Sequence, residues 1–176
     1  MLKQAKAIPA ATTLAGNARP RMTYAQFLRW DGDDDDHHVE WVNGEVVPMA
    51  PVSNEHSGVQ GFLHAILRVF ADAHALGQVR SEPFQMKTGP GLPGRSPDIL
   101  FVAKRNLHRL KRNHLQGPAD LVIEVISPGS QSLDRGDKFY EYENGGVREY
   151  WLIDPIRRRA EFYVGQARKL SARAPQ

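Results

Sequence analysis

Apolar and polar residues follow two different periods along the first half of this chain. Residues 39–49 alternate apolar and polar side chains around Asn43-Gly44, a dipeptide typical of two-residue turns, and this pattern predicts a β-hairpin. From Asn54 onward the apolar residues recur every three or four positions, which predicts a long amphipathic helix that ends at Gly77. The apolar face of this helix consists of Val59, Phe62, Leu63, Ile66, Val69, Phe70 and Ala73.

The second half of the chain is predicted to form several strands and one helix. Residues 120–126 are almost continuously apolar, which is typical of a strand buried on both faces near the middle of a sheet. A helix is predicted from Ser132 to Asn144, and Gly145-Gly146 is its expected left-handed stop. Further extended segments are predicted at residues 78–87, 99–103, 147–153 and 160–164, and residues 88–97 form a loop that contains too much proline and glycine for a helix.

Thr23 is a suitable N-cap for a short helix that precedes the hairpin. The four aspartates Asp33–Asp36 are expected to end this helix in a solvated turn, because like charges this close repel one another. They precede His37 and His38, so a metal site is the alternative interpretation of the same segment.

Length and composition favour one domain. A chain of 176 residues with 41% apolar content can bury one core, and it is shorter than chains that usually divide into two domains. Residues 1–20 lack apolar periodicity, so we expect a flexible tail there, with a faint similarity to a basic transit peptide, and a single domain over residues 21–176. No segment has the length of an apolar membrane span, and we expect a cytoplasmic protein without membrane association.

The absence of cysteine and the distribution of charge limit the kinds of site and partner that the chain can have. The chain has no cysteine, which excludes disulfides, thiolate zinc sites and a cysteine nucleophile. The net charge of +3 favours a polyanionic partner only weakly. Basic residues concentrate at residues 104–112 and at Arg157–Arg159, and each run either contacts nucleic acid or forms an ordinary solvated turn.

Glu124 is the most informative single residue. Its carboxylate lies between Ile123 and Val125 in the predicted central strand, where removal from water costs several kcal/mol unless a cation compensates the charge. A metal ion, a lysine or an arginine can supply that cation. A buried salt bridge without any further role is the alternative.

Asp98 and Lys138 are the candidates that accompany Glu124. Asp98 follows Pro97 and opens a predicted strand, so it is either a ligand at a strand end or an ordinary turn residue. Lys138 follows Asp134 by four residues on the predicted helix, which puts both side chains on one face, while Asp137 is expected to point elsewhere. The lysine either faces Glu124 or forms an exposed ion pair with Asp134.

The sequence pattern alone does not decide the roles of three further residues. His56 lies in the first turn of the long helix, three residues before Val59, where it can reach inward. A single histidine is more often a hydrogen-bonded structural group than a site residue. Glu40 and Glu45 lie on the arms of the predicted hairpin, where carboxylates are commonly exposed.

Two or three carboxylates that converge with a lysine suggest a site for a hard divalent cation. Oxygen ligands suit Mg²⁺ or Mn²⁺ far better than zinc or copper. An ion held by Asp98 and Glu124 would polarise a phosphodiester and activate a water, while Lys138 would orient that water or offset negative charge on phosphorus. The expected reaction is phosphodiester hydrolysis.

The chain also resembles the Uma-type family of restriction-endonuclease-like proteins, over about residues 22–164. The motifs that carry the resemblance are Val42-Asn-Gly-Glu-Val46, Ser53-Asn-Glu-His56, Pro97-Asp98, Leu121-Val-Ile-Glu-Val-Ile-Ser-Pro128, Asp134-Arg135 with Lys138, and Gly146-Val-Arg-Glu-Tyr-Trp-Leu-Ile-Asp-Pro155. The resemblance implies a restriction-endonuclease-like α/β (α+β) fold of the PD-(D/E)XK class, with a mixed central sheet flanked by helices. It also implies a shared site of Glu45, His56, Asp98, Glu124 and Lys138, with Asp98, Glu124 and Glu45 as metal ligands.

One position departs from the wider superfamily. The superfamily's lysine is expected two residues after the acidic strand residue, where this chain has Ile126. Lys138 must then supply the amine from the following helix.

Three hypotheses follow for function. The first is a Mg²⁺-dependent DNA endonuclease that acts as a homodimer, so that both strands are cut. The second is an inactive, nuclease-derived module that binds nucleic acid or assembles with a partner, and the third is a structural protein in which Glu124 and Lys138 merely pair. A buried Glu124 favours the enzyme, because a binding module has no need of it.

Overall fold

The computed structural model of the chain describes residues 19–30, 38–166 and 169–174. Most of the tail expected at residues 1–20 lies outside these ranges, as do Asp33–Asp36 and His37. The division into a tail and a single domain therefore stays a prediction. Within the described ranges, no helix is both long enough and apolar enough to cross a membrane.

The elements of the first half follow the predicted pattern closely. Helix α1 (Tyr24–Phe27) begins with the Thr23 N-cap, whose side chain accepts a hydrogen bond from the Gln26 amide. Strands β1 (Val39–Val42) and β2 (Glu45–Pro48) form the predicted antiparallel hairpin around Asn43-Gly44. Helix α2 (Asn54–Ala73) then begins after Ser53, whose hydroxyl accepts from the His56 amide.

The end of α2 differs from its prediction. The C-cap is His74, and the residue with left-handed backbone conformation is Ala75, at φ 51°. Gly77 instead begins β3 (Gly77–Ser81), where any Cβ would lie 2.1 Å from the carbonyl oxygen of Val102. This glycine is therefore required by close strand packing and not by helix termination.

The helix predicted at residues 132–144 is two helices. Helix α3 (Gln131–Arg135) and helix α4 (Asp137–Gly145) are separated by Gly136. A Cβ at Gly136 would lie 2.6 Å from the carbonyl oxygen of Ser132, so the break needs glycine at this position. Gly146 adopts the predicted left-handed C-cap conformation, at φ 81°.

The remaining strands complete two sheets. The extended segment predicted at residues 78–87 is divided between β3 and β4 (Gln85–Lys87), and the loop at residues 88–97 contains the short strand β5 (Gly94–Arg95). Later elements are β6 (Ile99–Ala103), a 3₁₀ helix (Lys104–Arg109), β7 (His114–Gln116), β8 (Leu121–Val125), β9 (Glu149–Asp154), β10 (Arg159–Gln166) and β11 (Lys169–Arg173). The 3₁₀ helix, β7 and β11 were not predicted from the sequence.

Strand β8 lies inside the larger sheet, as its apolar sequence predicts. That sheet has the order β11-β10-β9-β8-β6-β3, and the smaller one has the order β2-β1-β5-β4-β7. All five residues of β8 are buried. The strand runs parallel to β9 and antiparallel to β6.

The two faces of β8 contribute to separate apolar clusters. Val122 packs with Leu100, Tyr142 and Tyr150 on the face that α4 covers. On the opposite face, Ile123 packs with Ile99 and with Ala71 of α2. Because alternate residues of a strand point to opposite faces, Glu124 points to the α4 side together with Val122.

Candidate active site

The pairing of β6 with β8 brings Asp98 next to Glu124. The register pairs Ile99 with Ile123, and its continuation by one residue sets Asp98 opposite Glu124. Opposed residues of antiparallel strands are close neighbours, so Asp98 lies beside Glu124. The amide of Val125 donates a 2.6 Å hydrogen bond to Asp98 Oδ2, and both acidic side chains are buried.

Lys138 reaches this pair from α4. Its Nζ lies 3.1 Å from Glu124 Oε1 and 3.3 Å from Asp134 Oδ1, and all three side chains are almost completely buried. The predicted contact of Lys138 with Glu124 is therefore present, and so is the predicted alignment with Asp134. The exposed ion pair that was its alternative is not found.

The charges around Lys138 keep it protonated. Burial by itself lowers the pKa of Lys138. The pKa nevertheless lies above its usual value, because the carboxylates of Glu124, Glu40, Asp134 and Asp98 raise it by more than burial lowers it. The amine is a permanent positive charge at neutral pH. It can donate hydrogen bonds but cannot accept a proton.

The pKa of Glu124 is also raised, but here burial is the main cause. Burial raises its pKa well above the usual value, and although the charge of Lys138 lowers it, the charges of Asp98 and Asp134 raise it again. Tyr142 donates a 2.8 Å hydrogen bond to Glu124 Oε1, which favours the ionised form. Burial is the largest cause of the raised pKa of Glu124, and the charge of Lys138 offsets it only in part.

His56 contacts the cluster from the first turn of α2. Its Nε2 lies 3.1 Å from Asp98 Oδ2, while its Nδ1 is buried without a hydrogen-bond partner among the residues that the structure describes. Burial lowers the pKa of His56, but the hydrogen bond and charge of Asp98, together with the charges of Glu82 and Asp134, outweigh it and raise the pKa above its usual value. Gln60, one turn later, donates to the backbone carbonyl of Asp98 at 3.1 Å.

The hairpin contributes Glu40 to this region and not Glu45. Glu45 lies near the hairpin turn, 3.1 Å from Arg21 and 3.9 Å from Arg19, and does not line the cavity above Asp98. Glu40 is buried and accepts hydrogen bonds from Arg95 Nη1 at 2.8 Å and from the Ser96 amide at 3.0 Å. The structure therefore pairs Glu45 with arginines and does not place it in the cavity wall as expected, and Glu40 is the hairpin carboxylate that lines the cavity.

Glu40 and Glu45 differ in their positions along the hairpin. Glu40 pairs with Val47, and Glu45 pairs with Val42. All four residues point to one face, because pairs two residues apart share a face. Glu45 is nearer the turn and so farther from the cluster.

A cavity of about 350 Å³ reaches part of this group from outside, although Glu124 is buried behind its wall and does not line it. Lys138, Asp98 and His56 lie in its wall together with Asp134 and Asp137, and the loop after β8 forms its rim. Asp137, which was expected to point elsewhere on the helix, is exposed and faces the same cavity. A small anionic group can therefore approach Lys138 from solvent.

The acidic groups are compatible with a divalent cation of the Mg²⁺ type. Among the described residues, no three His, Asp or Glu side chains form a ready-made metal site. Mg²⁺ does not require one, because it typically uses one or two carboxylates and completes its octahedron with waters and phosphate oxygens. Burial and the neighbouring charges of Asp98 and Asp134 raise the pKa of Glu124, and a bound divalent ion would offset both effects.

Sequence reasoning missed Tyr142, Gln60 and Arg95 as neighbours of the cluster. A signal for Tyr142 was present, since it follows Lys138 by four residues and so lies on the same helical face. Arg95 binds Glu40 and also forms two 2.7 Å contacts with Glu141. No local pattern marks Arg95, because its partners are 46 and 55 residues away in the chain.

Comparisons with known proteins identify the family and the fold of the chain. The model of the Uma2 family, described as "Putative restriction endonuclease", matches residues 24–174. A protein from Anabaena variabilis ATCC 29413, described as a putative nuclease belonging to DUF820, has a crystal structure with a TM-score of 0.67 to this one. The two are 17% identical over 86% of this chain and 83% of that chain, which confirms the restriction-endonuclease-like fold. No curated protein matches the chain.

Proposed function

From the premise that the chain belongs to the Uma2 family, we propose that it is a nuclease that hydrolyses phosphodiester bonds of DNA with Mg²⁺ or Mn²⁺. The single observation that supports this most is the buried group of Asp98, Glu124 and Lys138 beside an open cavity. Two acids and a permanently charged amine match what phosphodiester hydrolysis requires.

Each residue has a definite part in this proposal. Asp98 and Glu124 hold the ion, which when bound supplies Lewis acidity toward the phosphate and lowers the pKa of a water. Lys138 donates hydrogen bonds to the attacking water or to a phosphate oxygen, and its position is held by Glu124 and Asp134. His56 positions Asp98 through the 3.1 Å contact between Nε2 and Oδ2.

The alternative is a nuclease-derived module that binds nucleic acid or assembles with a partner but does not cut. Such a module needs a positive surface, which the chain has in its two basic runs. It does not need an acidic pair and a lysine that are all withdrawn from water at a cost of several kcal/mol. This cost favours the enzyme.

We test the nuclease with supercoiled plasmid and Mn²⁺. The parent protein is expected to nick the plasmid, whereas Asp98→Ala and Glu124→Gln leave it intact, and EDTA abolishes nicking by the parent. Asp72→Asn is the matched control, because Asp72 is an exposed carboxylate of α2 whose ion-pair partner is Arg68. Equal nicking by the parent and by Asp98→Ala would reject the proposal and indicate a contaminating nuclease.

We also propose that the active form is a homodimer. Each chain provides one acidic site, whereas a DNA duplex has two strands to cut. The outer face of α2 supports this proposal, since Phe62, Ile66, Val69 and Phe70 are all exposed there. Exposed apolar side chains in one row are typical of protein interfaces.

A further inference from the structure

We propose that the turn between β9 and β10, residues 155–158, holds the DNA backbone beside the active site. Arg158 and Arg157 contact phosphates, and Ile156 packs against sugars and base edges. The inference rests on the proposed nuclease function and adds to it the surface that binds the substrate. We call residues 155–158 the arginine turn.

The parallel pairing of β8 with β9 sets this turn at the edge of the sheet where the site lies. The register pairs Glu124 with Leu152 and Val125 with Ile153, so the carboxyl ends of both strands reach the same edge. Asp98 directly precedes the antiparallel strand β6 at that edge as well. The arginine turn directly follows Asp154, the last residue of β9.

A continuous surface connects the turn with the site. A second cavity, of about 200 Å³, lies between the arginine turn and the loop after β8, and Ile156 and Arg157 form part of its wall. Ser127 lines both this cavity and the one above Asp98. A backbone that enters the active-site cavity can therefore continue past Ser127 onto the turn.

The turn is held in shape by its own contacts. Asp154 Oδ1 accepts a 2.8 Å hydrogen bond from the Arg157 amide, and Oδ2 lies 3.2 Å from Arg157 Nη1. The hydrogen bond from the Arg157 amide lowers the pKa of Asp154, so this carboxylate stays ionised at neutral pH. A turn that is already ordered loses little conformational entropy when it binds a ligand.

The corner of the sheet around the turn is positively charged. Four arginines lie there, Arg135, Arg157, Arg158 and Arg159, against the two carboxylates Asp154 and Glu161 that pair with them, which leaves a net charge of +2. Within the described ranges, Arg158 forms no ion pair, and its side chain is exposed. It is therefore available to a phosphate.

Ile156 gives the surface a further property of DNA-binding turns. Its side chain is 63% exposed, and in the chain it lies between Asp154 and the arginines at positions 157–159. Proteins that bind the minor groove of duplex DNA often combine arginines with an apolar side chain, such as isoleucine, that contacts the base pairs. The combination favours DNA over a purely ionic partner.

The other basic run, at residues 104–112, lies at the opposite end of the sheet. Strand β6 leads away from Asp98 for five residues, or roughly 16 Å, before this run begins. Arg105 pairs with Asp120 at 2.8 Å, much as Arg157 pairs with Asp154, and Arg109 donates to the Pro118 carbonyl at 3.1 Å, so distance from the site is what distinguishes the two runs. Tertiary structure thus separates two runs that look equivalent in the sequence.

The test compares two exposed arginines at opposite ends of the sheet. Arg158→Asn removes one charge from the arginine turn, and asparagine tolerates the left-handed backbone found there, at φ 51°. Arg112→Asn removes one charge from an equally exposed position in the other run. Binding to a fluorescein-labelled 20-base-pair DNA duplex is followed by fluorescence anisotropy in EDTA, which prevents cleavage, over a series of salt concentrations.

We expect Arg158→Asn to weaken binding several-fold and to reduce the slope of log K against log salt by about 1, as loss of one phosphate contact does. Arg112→Asn is expected to bind like the parent. Ile156→Ser is expected to weaken binding while the salt slope stays unchanged, because it removes an uncharged contact. Equal effects of Arg158→Asn and Arg112→Asn, or no effect of either, would overturn the proposal.

The plasmid assay separates this inference from the nuclease itself. If the parent nicks plasmid in a manner that depends on Asp98 while Arg158→Asn binds the duplex normally, the nuclease stands and the arginine turn is rejected. If the parent binds the duplex through Arg158 but does not nick plasmid, the surface stands and the catalytic proposal is rejected. A parent that does not bind the duplex at low salt overturns the arginine turn directly.

Discussion

Tyr142 and Lys138 contact the same oxygen of Glu124. The tyrosine hydroxyl donates to Oε1 at 2.8 Å, and the lysine Nζ lies 3.1 Å from it. Both donors come from α4, one turn apart, and both are buried. Glu124 is thus held by two groups of one helix, and its orientation depends on the docking of α4 against β8.

Tyr142→Phe tests the hydrogen bond to Glu124. Loss of the donor removes a contact that favours the ionised carboxylate, so the pKa of Glu124 is expected to rise further. Because only the carboxylate binds metal, the pH at which Mn²⁺ binding is half lost should move upward, as measured by calorimetric titration at several pH values. Tyr140→Phe, at an exposed position of the same helix, is the control. An unchanged midpoint would exclude the positioning role.

Stability without metal should fall as pH rises through the titration of Glu124. The folded protein holds the Glu124 proton more tightly than the unfolded chain, since burial raises its pKa. Between the unfolded and folded pKa values the native state therefore binds more protons, and the free energy of unfolding decreases with increasing pH. Urea unfolding of the parent and of Glu124→Gln at several pH values checks this.

The difference between the two proteins isolates Glu124 in that experiment. The stability of the parent relative to the glutamine variant should decline toward high pH, and it should recover when Mn²⁺ is present. A constant difference across the acid and neutral range would show that Glu124 does not titrate as proposed.

Lys138→Met should be strongly destabilising. It leaves Glu124 and Asp134 buried without their cation, and breaking a buried ion pair from one side typically costs about 3–5 kcal/mol. The double variant with Glu124→Gln should recover part of the loss, because it removes one unpaired charge. Urea unfolding measures both, with Lys104→Met at an exposed position as control. Additive effects of the two substitutions would contradict the pairing.

His56→Gln tests the contact with Asp98. The pKa of His56 is raised in the folded protein, so protonated His56 stabilises the fold below its unfolded pKa of about 6.5, and this stabilisation is lost as pH rises through the folded value. The melting temperature of the parent should therefore exceed that of His56→Gln by more at pH 5.5 than at pH 8.5. His64→Gln, on the same helix, is the control variant.

Val69→Asp tests the homodimer. A charge in the exposed apolar row of α2 should prevent two such rows from packing together, so light scattering after gel filtration should show a dimer for the parent and a monomer for the variant. Asp72→Asn, beside the row, should remain dimeric. A monomeric parent would reject the homodimer outright.

Local patterns in the sequence determined a large part of this protein. Alternation predicts the β1–β2 hairpin, and a helical period predicts α2. The uninterrupted apolar run predicts β8 as a buried strand with a carboxylate inside it. Each of these features depends on residues a few positions apart in the chain. The periods of helix and strand determine which of those residues share a face, so the feature is visible as a pattern in the sequence. For the same reason Glu124, Lys138 and the alignment with Asp134 were predictable.

Only the tertiary structure decided between Glu40 and Glu45, and between the two basic runs. Glu40 is selected by Arg95 and Ser96, more than fifty residues away in the chain, and the arginine turn is brought to the site by the parallel pairing of β9 with β8. The break at Gly136 likewise depends on how close the backbone passes Ser132. Such choices follow from contacts between distant segments, and no local period of apolar residues records which segments meet.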